Sequence, residues 1–232
     1  MTEFIVFKGM MRNYLLKLKD GYLLIDTSWP KRYKRFLRKI KKYNIQVTDI
    51  KYLLLTHSHT DHTGFANELL KDSGAKLIVH ENVVPLLRNG VMESEAEPTN
   101  RFMRVMFRII NKMVGTSYPE VTIDDKRIIP IKKDEDIPIP KEIGLKGKIL
   151  FTPGHTRDSI SLILDNGKGF VGDLCTNNIW VFIGLGHKPP LNVGLEIVFK
   201  SWEKLVNNGV KEIYPAHGKP FLVEKLKIKS EN

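Results

Sequence analysis

Cysteine is nearly absent: Cys175 is alone in 232 residues, so no disulfide can form within the chain. A chain of this length buries enough surface to fold without covalent staples, and the cysteine count permits a reducing compartment. No apolar run approaches the ~18 residues that a membrane span requires. The first apolar stretch, Phe4–Phe7, is too short for the core of a secretory signal. These absences give the expectation of a cytoplasmic protein with no membrane partner. Acidic residues are the minority charge, 26 against 37 Lys and Arg, for a formal charge of +11. With 42% hydrophobic and 27% charged residues, wholesale disorder is excluded. No repeat or low-complexity segment stands out, and the length favours one domain spanning 1–232. The lysine excess reads as a solvated surface that would also suit an anionic substrate or nucleic acid.

Periodicity divides the chain into two strand-rich blocks. Phe4–Phe7, Tyr14–Lys19 and Tyr22–Ile25 read as strands, the last two joined at the Lys19-Asp20-Gly21 turn. Pro30–Tyr43 reads as a helix, with Tyr33, Phe36, Leu37 and Ile40 at helical spacing. Lys51–Leu55 suits a buried strand. His62–Lys71 reads as a helix with Asp61 near its start, and Leu77–Val79 as a strand ending in His80. After a helical stretch at 82–120, strands return at Arg127–Ile131, Lys148–Phe151, Ser159–Leu164 and Gly169–Gly172. A helix at Leu195–Asn207 and a strand at Glu212–Tyr214 follow. Two strand blocks with helices between and after them point to an α/β sandwich, two packed sheets with helices outside.

Five of the seven histidines fall in three short windows, each at the end of a strand. The first, Thr56-His57-Ser58-His59-Thr60-Asp61-His62, crowds three imidazoles and a carboxylate behind a buried strand. Burying so many polar rings without partners would cost several kcal/mol. A metal ion removes the difficulty, because neutral imidazole and carboxylate are its natural ligands. The second window holds His155 in Pro153-Gly154-His155-Thr156, and the third holds His217 in Tyr214-Pro215-Ala216-His217-Gly218. Between them Asp173 closes the apolar run Phe170-Val171-Gly172. Each fragment alone is weak; four in this order are not.

Together, His57-Ser58-His59-Thr60-Asp61-His62, His155, Asp173 and His217 resemble the metallo-β-lactamase-fold hydrolases, on the glyoxalase II and lactonase side of that superfamily. The resemblance runs from Asp26 to Gly218 and is specific for the fold and metal site rather than the substrate. It implies a four-layer αβ/βα sandwich with the site at one edge between the sheets. It also implies two metals: His57, His59 and His155 on the first, Asp61, His62 and His217 on the second, and Asp173 bridging. Asp26 would sit just outside, orienting the histidine loop. A water shared between two such ions loses a proton near neutral pH and becomes the nucleophile, so no Ser or Cys is required. Asp61 has a second expected role, holding that nucleophile and returning its proton to the leaving group. The N- and O-rich donor set favours zinc and would also accommodate iron or manganese. Cys175 lies two residues past Asp173, so in an extended strand it would face the same way. It reads either as a visitor to the second metal or as a small buried thiol.

His80 and His187 read as structural or surface residues, with a supporting role at the site as the alternative. The helix expected at Pro98–Met113 is apolar over more than half its circumference, through residues such as Phe102, Met103, Val105, Met106 and Ile109. That predicts burial on most sides, as a lid over the metal edge, as packing on the sandwich or as a homodimer contact. On it Arg101, Arg104, Arg108 and Lys112 form a basic stripe, which in a lid would meet an anionic group of the substrate. The leading expectation is hydrolysis of an ester, thioester or lactone of a small molecule, for which an anionic substrate would suit the charge. A phosphodiesterase or nuclease suits the charge too, but no appended RNA-binding domain and no aromatic-interleaved basic strand is visible. A di-iron oxidoreductase ranks last, because such relatives carry Glu where this chain has His59.

Overall fold

Alternate strand residues sort onto opposite faces, and three apolar layers follow from that sorting. A computed structural model describes residues 3–114, 117–132, 136–181 and 184–227, with the side chains of 110–114 and Trp180 left aside. The first sheet comprises β1 (Phe4–Phe7), β2 (Asn13–Lys17), β3 (Tyr22–Ile25), β4 (Ile50–Leu54) and β5 (Lys76–His80). After the short strand β6 (Glu97–Pro98), β7 (Ile128–Ile131) completes it, in the order β1-β2-β3-β4-β5-β7. The second sheet uses β8 (Ile137–Pro138), β9 (Gly147–Phe151), β10 (Ile160–Leu164) and β11 (Lys168–Phe170). Past β12 (Leu191–Asn192), which pairs with β6, it adds β13 (Glu212–Tyr214) and β14 (Phe221–Leu222), in the order β14-β13-β11-β10-β9-β8.

Leu16, Leu23, Ile25, Leu54 and Ile78 point from the first sheet into a core shared with Ile149, Ile160, Leu162 and Phe170 of the second. The intervening residues Leu15, Leu24, Leu53 and Leu77 face the other way, onto helices α1 (Tyr33–Lys41), α3 (Ala66–Ser73) and α4 (Val83–Arg88). Leu150 and Ile163 turn outward onto Val198, Trp202 and Leu205 of α6 (Leu195–Asn207). The layers are therefore helix, sheet, sheet, helix, the expected α/β sandwich. Among the described residues no helix is long and apolar enough to cross a membrane.

Two helical expectations are corrected. The helix expected at His62–Lys71 is two helices, α2 (Thr60–Thr63) and α3. Continuation would need the His62 carbonyl, but the Thr27 N–H and Thr27 hydroxyl both donate to it, at 2.7 and 2.8 Å. The apolar helix α5 (Arg101–Val114) is not buried on most sides over its described side chains, 101–109. Over 101–109 only Met103 is fully buried, while Phe102, Val105 and Ile109 are each more than half exposed. Asn100 caps its start by accepting from the Met103 N–H at 2.9 Å. The helix packs mainly on β6, and among its described residues Phe102, Val105 and Ile109 stay exposed. Arg101, Arg104 and Arg108 are exposed as a stripe; the expectation for the Lys112 side chain lies outside the described residues.

Candidate metal centre

Every loop of the centre leaves the carboxyl end of a strand. Asp26 follows β3 and the 56–62 segment follows β4; these strands are parallel, so the two loops emerge side by side. Asp173 follows β11 and His217 follows β13, again a parallel pair. His155 follows β9, two antiparallel pairings from β11 and so running the same way. Both sheets thus deliver polar residues to one edge of the sandwich.

The structure brings together His57, His59 and His155 as one trio, and Asp61, His62 and His217 as another. Asp173 clusters with His57 and His62. Its Oδ2 also lies 3.7 Å from His155 Nε2 and 3.4 Å from His217 Nε2, so it reaches both trios. Within the first trio, His155 Nε2 and His59 Nδ1 face each other at 2.9 Å. Within the second, His217 Nε2 lies 3.1 Å from Asp61 Oδ2. Most of these side chains are buried, but Asp61 and His217 keep 16% and 20% exposure, so the centre opens on their side.

The backs of four rings fix which nitrogen faces inward. His155 Nδ1–H donates to the Leu191 carbonyl at 2.8 Å, and His217 Nδ1–H to the Met10 carbonyl at 3.1 Å. His62 Nδ1–H donates to Asp26 Oδ2 at 2.9 Å. Thr56 gives its hydroxyl hydrogen to Asp26 at 2.9 Å, so it accepts from His57 Nδ1–H at 3.0 Å. With Nδ1–H committed outward, it is Nε2 of each ring that faces the cluster, as a lone pair whenever the ring is neutral. Among the described residues, His57 Nε2, His62 Nε2 and Asp173 Oδ1 are buried without a hydrogen-bond partner. Buried donor atoms left so, in an N- and O-rich set, fit divalent metal ions.

Electrostatics separate the two trios. Burial pushes His59 down to about 3, with the His155 charge adding to it. Burial likewise lowers His57 and His155. Burial would also lower His217, but Asp173 and Asp61 outweigh it and lift that imidazole to about 9. Asp26, Asp173 and Asp61 raise His62 against the same desolvation. Burial would raise Asp61, yet His62 and His217 hold it at about 2. Asp173 is held well below the usual carboxylate range, again against burial, by His217 and His62.

Asp26 lies behind the histidine loop, hydrogen-bonded to Thr56 and His62. Its backbone is left-handed, with φ of 55°, a conformation Asp tolerates better than most residues. Its carboxylate accepts from the Thr56 N–H at 2.8 Å as well as from Thr56 Oγ1 and His62. Sequence reasoning saw Thr56 only as a strand end and missed that it joins Asp26 to His57. It also missed Asn13, whose side-chain amide donates to the carbonyls of Asp26 and Thr27. Asp158, buried and bonded to the Thr156 hydroxyl beside His155, was missed as well. Chemistry-bearing types at the right strand ends were the available signal, but long-range partnership was not.

Cys175 is a small buried thiol. The strand ends at Phe170 rather than Gly172, so the chain turns before Cys175, which packs in the core with Trp202 and Val198. Gly172 makes that turn with φ of 55°, and a Cβ there would collide with Thr56 Oγ1. His187 stacks on Phe221 at 4.0 Å and binds the Thr176 carbonyl, while His80 stacks on Phe151 at 4.9 Å. Neither is among the clustered donor atoms of the described residues.

Comparison with known proteins agrees with this architecture. The family described as the metallo-beta-lactamase superfamily matches residues 12–217. The "Probable metallo-hydrolase MJ0888" of Methanocaldococcus jannaschii is 26% identical over 217 residues, covering 90% of this chain and 89% of that protein. The "Probable metallo-hydrolase YflN" of Bacillus subtilis is 24% identical over 152 residues, or 65% of this chain. That match spans only about half, 54%, of YflN. Among solved structures, the metallo-beta-lactamase family protein TTHA1429 from Thermus thermophilus superposes with a TM-score of 0.67 at 19% identity. The superposition covers 97% of this chain and 75% of that one, and shows the fold alone.

Proposed function

We propose that this chain, which belongs to the metallo-beta-lactamase superfamily, is a dinuclear metal-dependent hydrolase that cleaves an ester, thioester or lactone bond of a small molecule. One observation carries the reading: four imidazoles are anchored at Nδ1 by groups outside the cluster, leaving Nε2 turned inward. Such anchoring sets tautomer and ring orientation for metal binding. In this reading His57, His59 and His155 hold one ion, Asp61, His62 and His217 hold the other, and Asp173 touches both. Zinc suits the donors best, and iron or manganese would also be accepted. Bound ions would acidify a shared water and polarise the bond to be cut.

The chain's own residues supply the rest. Asp26 and Thr56 hold His62 and His57 against rotation. Asp61 stands on the open side with Oδ2 engaged by His217. Its other oxygen, Oδ1, lies 3.9 Å from His62 Nε2, and in this reading the carboxylate would take a proton from the attacking water and return it to the leaving atom. A phosphodiesterase is the second reading, favoured by the exposed stripe of Arg101, Arg104 and Arg108.

Metal analysis of the purified protein is expected to give about two ions per chain. Turnover of p-nitrophenyl esters, thioesters and lactones is compared with that of bis-p-nitrophenyl phosphate. Ester-class turnover is the expected result; phosphodiester turnover alone reverses the ranking.

A further inference from the structure

The strongest unassigned feature is a cationic cleft behind the second trio. Arg32, Arg35 and Lys39 recur at three- and four-residue spacing, so they share one side of α1. They line an open cleft of about 150 Å³ together with Met10, Asn13 and Trp29. Among the described residues, no Asp or Glu lines it. Among the described residues, neither arginine has an ion pair or a side-chain hydrogen bond. Lys39 donates to the Lys8 carbonyl at 3.2 Å. Burial, and then the neighbouring Arg35 charge, push the Lys39 ammonium below its ordinary value. Arg32 and Arg35 are exposed and Lys39 is half-buried, so three cations stand together with no carboxylate in the described lining of the cleft to offset them.

The cleft shares its wall with the catalytic edge. Met10 lines it, and the Met10 carbonyl accepts from His217 Nδ1–H. Asn13 also lines it, and its side chain donates to the Asp26 carbonyl at 3.0 Å. The volume is below the ~300 Å³ at which pockets bury whole small molecules, so the cleft fits one ionic group. We infer that it receives the carboxylate or phosphate end of the substrate, and that the substrate is an acid carrying its scissile bond beside that end. This rests on the hydrolase reading for the bond cleaved, but anion binding stands apart from it.

Trp29 lines the cleft, so the difference in emission between wild type and Trp29→Phe reports cleft occupancy separately from Trp180 and Trp202. Adding inorganic phosphate to the zinc-loaded full chain is expected to give a saturable change in that difference signal. The double variant Arg32→Gln/Arg35→Gln should weaken the response about tenfold. Lys34→Gln/Arg38→Gln removes the same charge from the solvent side of α1 and should leave it nearly intact. No saturable change, or equal weakening by both double variants, overturns the site as diffuse surface electrostatics. In a second arm, a p-nitrophenyl ester of succinate with a free carboxylate is compared with neutral p-nitrophenyl acetate. The charged-to-neutral ratio of kcat/KM should fall about tenfold in Arg32→Gln/Arg35→Gln. An unchanged ratio overturns the role in substrate recognition. If wild type cleaves neither ester while the Trp29 response holds, the hydrolase reading fails and the anion cleft stands.

Discussion

The two trios are built from similar residues, yet they sit in opposite charge states. His57, His59 and His155 are driven neutral, chiefly by desolvation. His62 and His217 suffer the same desolvation but face Asp26, Asp61 and Asp173, and their protonated forms win. One trio offers its lone pairs freely; the other must surrender protons to a cation. Burial alone therefore does not decide the state of a buried histidine. The number of carboxylates within reach does.

The strongest challenge to this contrast is to remove the group both trios share. Asp173→Ala is expected to abolish hydrolysis, with a loss above about a thousandfold, and to lower metal content at both positions. A variant that keeps its metals and its turnover would dismantle the shared centre. Next, Asp61→Ala or His62→Ala should lower metal content from about two ions toward one and eliminate most turnover. His155→Ala should strip the other ion. Equal metal loss from either side would show that the trios fill together rather than separately.

A third test uses pH. With His217 held at about 9, its proton competes with the cation at pH 7. Affinity at the second trio should rise about tenfold per pH unit toward 9 for each proton displaced, whereas the first trio, with His59 at about 3, should stay flat. Chelator competition at stepped pH measures both slopes. Stability follows the same sign. The folded His217 value exceeds the ordinary 6.5, so its contribution to the metal-free protein is full below 6.5 and disappears as pH rises through about 9. The metal-free Tm should fall across that window. The smallest effect is expected for Thr56→Val, which loosens His57 and Asp26 without removing a ligand. Metal affinity should drop about 10–100-fold at both trios, as when outer partners of ligating histidines are lost.

Much of this site was legible because chemistry-bearing residues gather at strand ends and strand ends are readable from alternation. β13 and α6 have the boundaries expected from sequence. What escaped was decided by partners distant in the chain. The 62–71 helix breaks because Thr27, thirty-five residues earlier, takes the His62 carbonyl. The Phe102, Val105 and Ile109 stripe shows which side chains share a face, but no periodicity states that a layer exists to cover them. Cys175 was extrapolated along a strand that had already ended at Phe170.

The parentage of the ligands has a mechanical consequence. His57, His59, Asp61 and His62 ride on the first sheet, while His155, Asp173 and His217 ride on the second. An ion held by both groups would fasten the open rim of the sandwich like a rivet, so that the sheets could not slide past one another without tearing it loose. Occupancy and cohesion would then rise and fall together, and a chelated protein would fray first at the very rim where its chemistry resides.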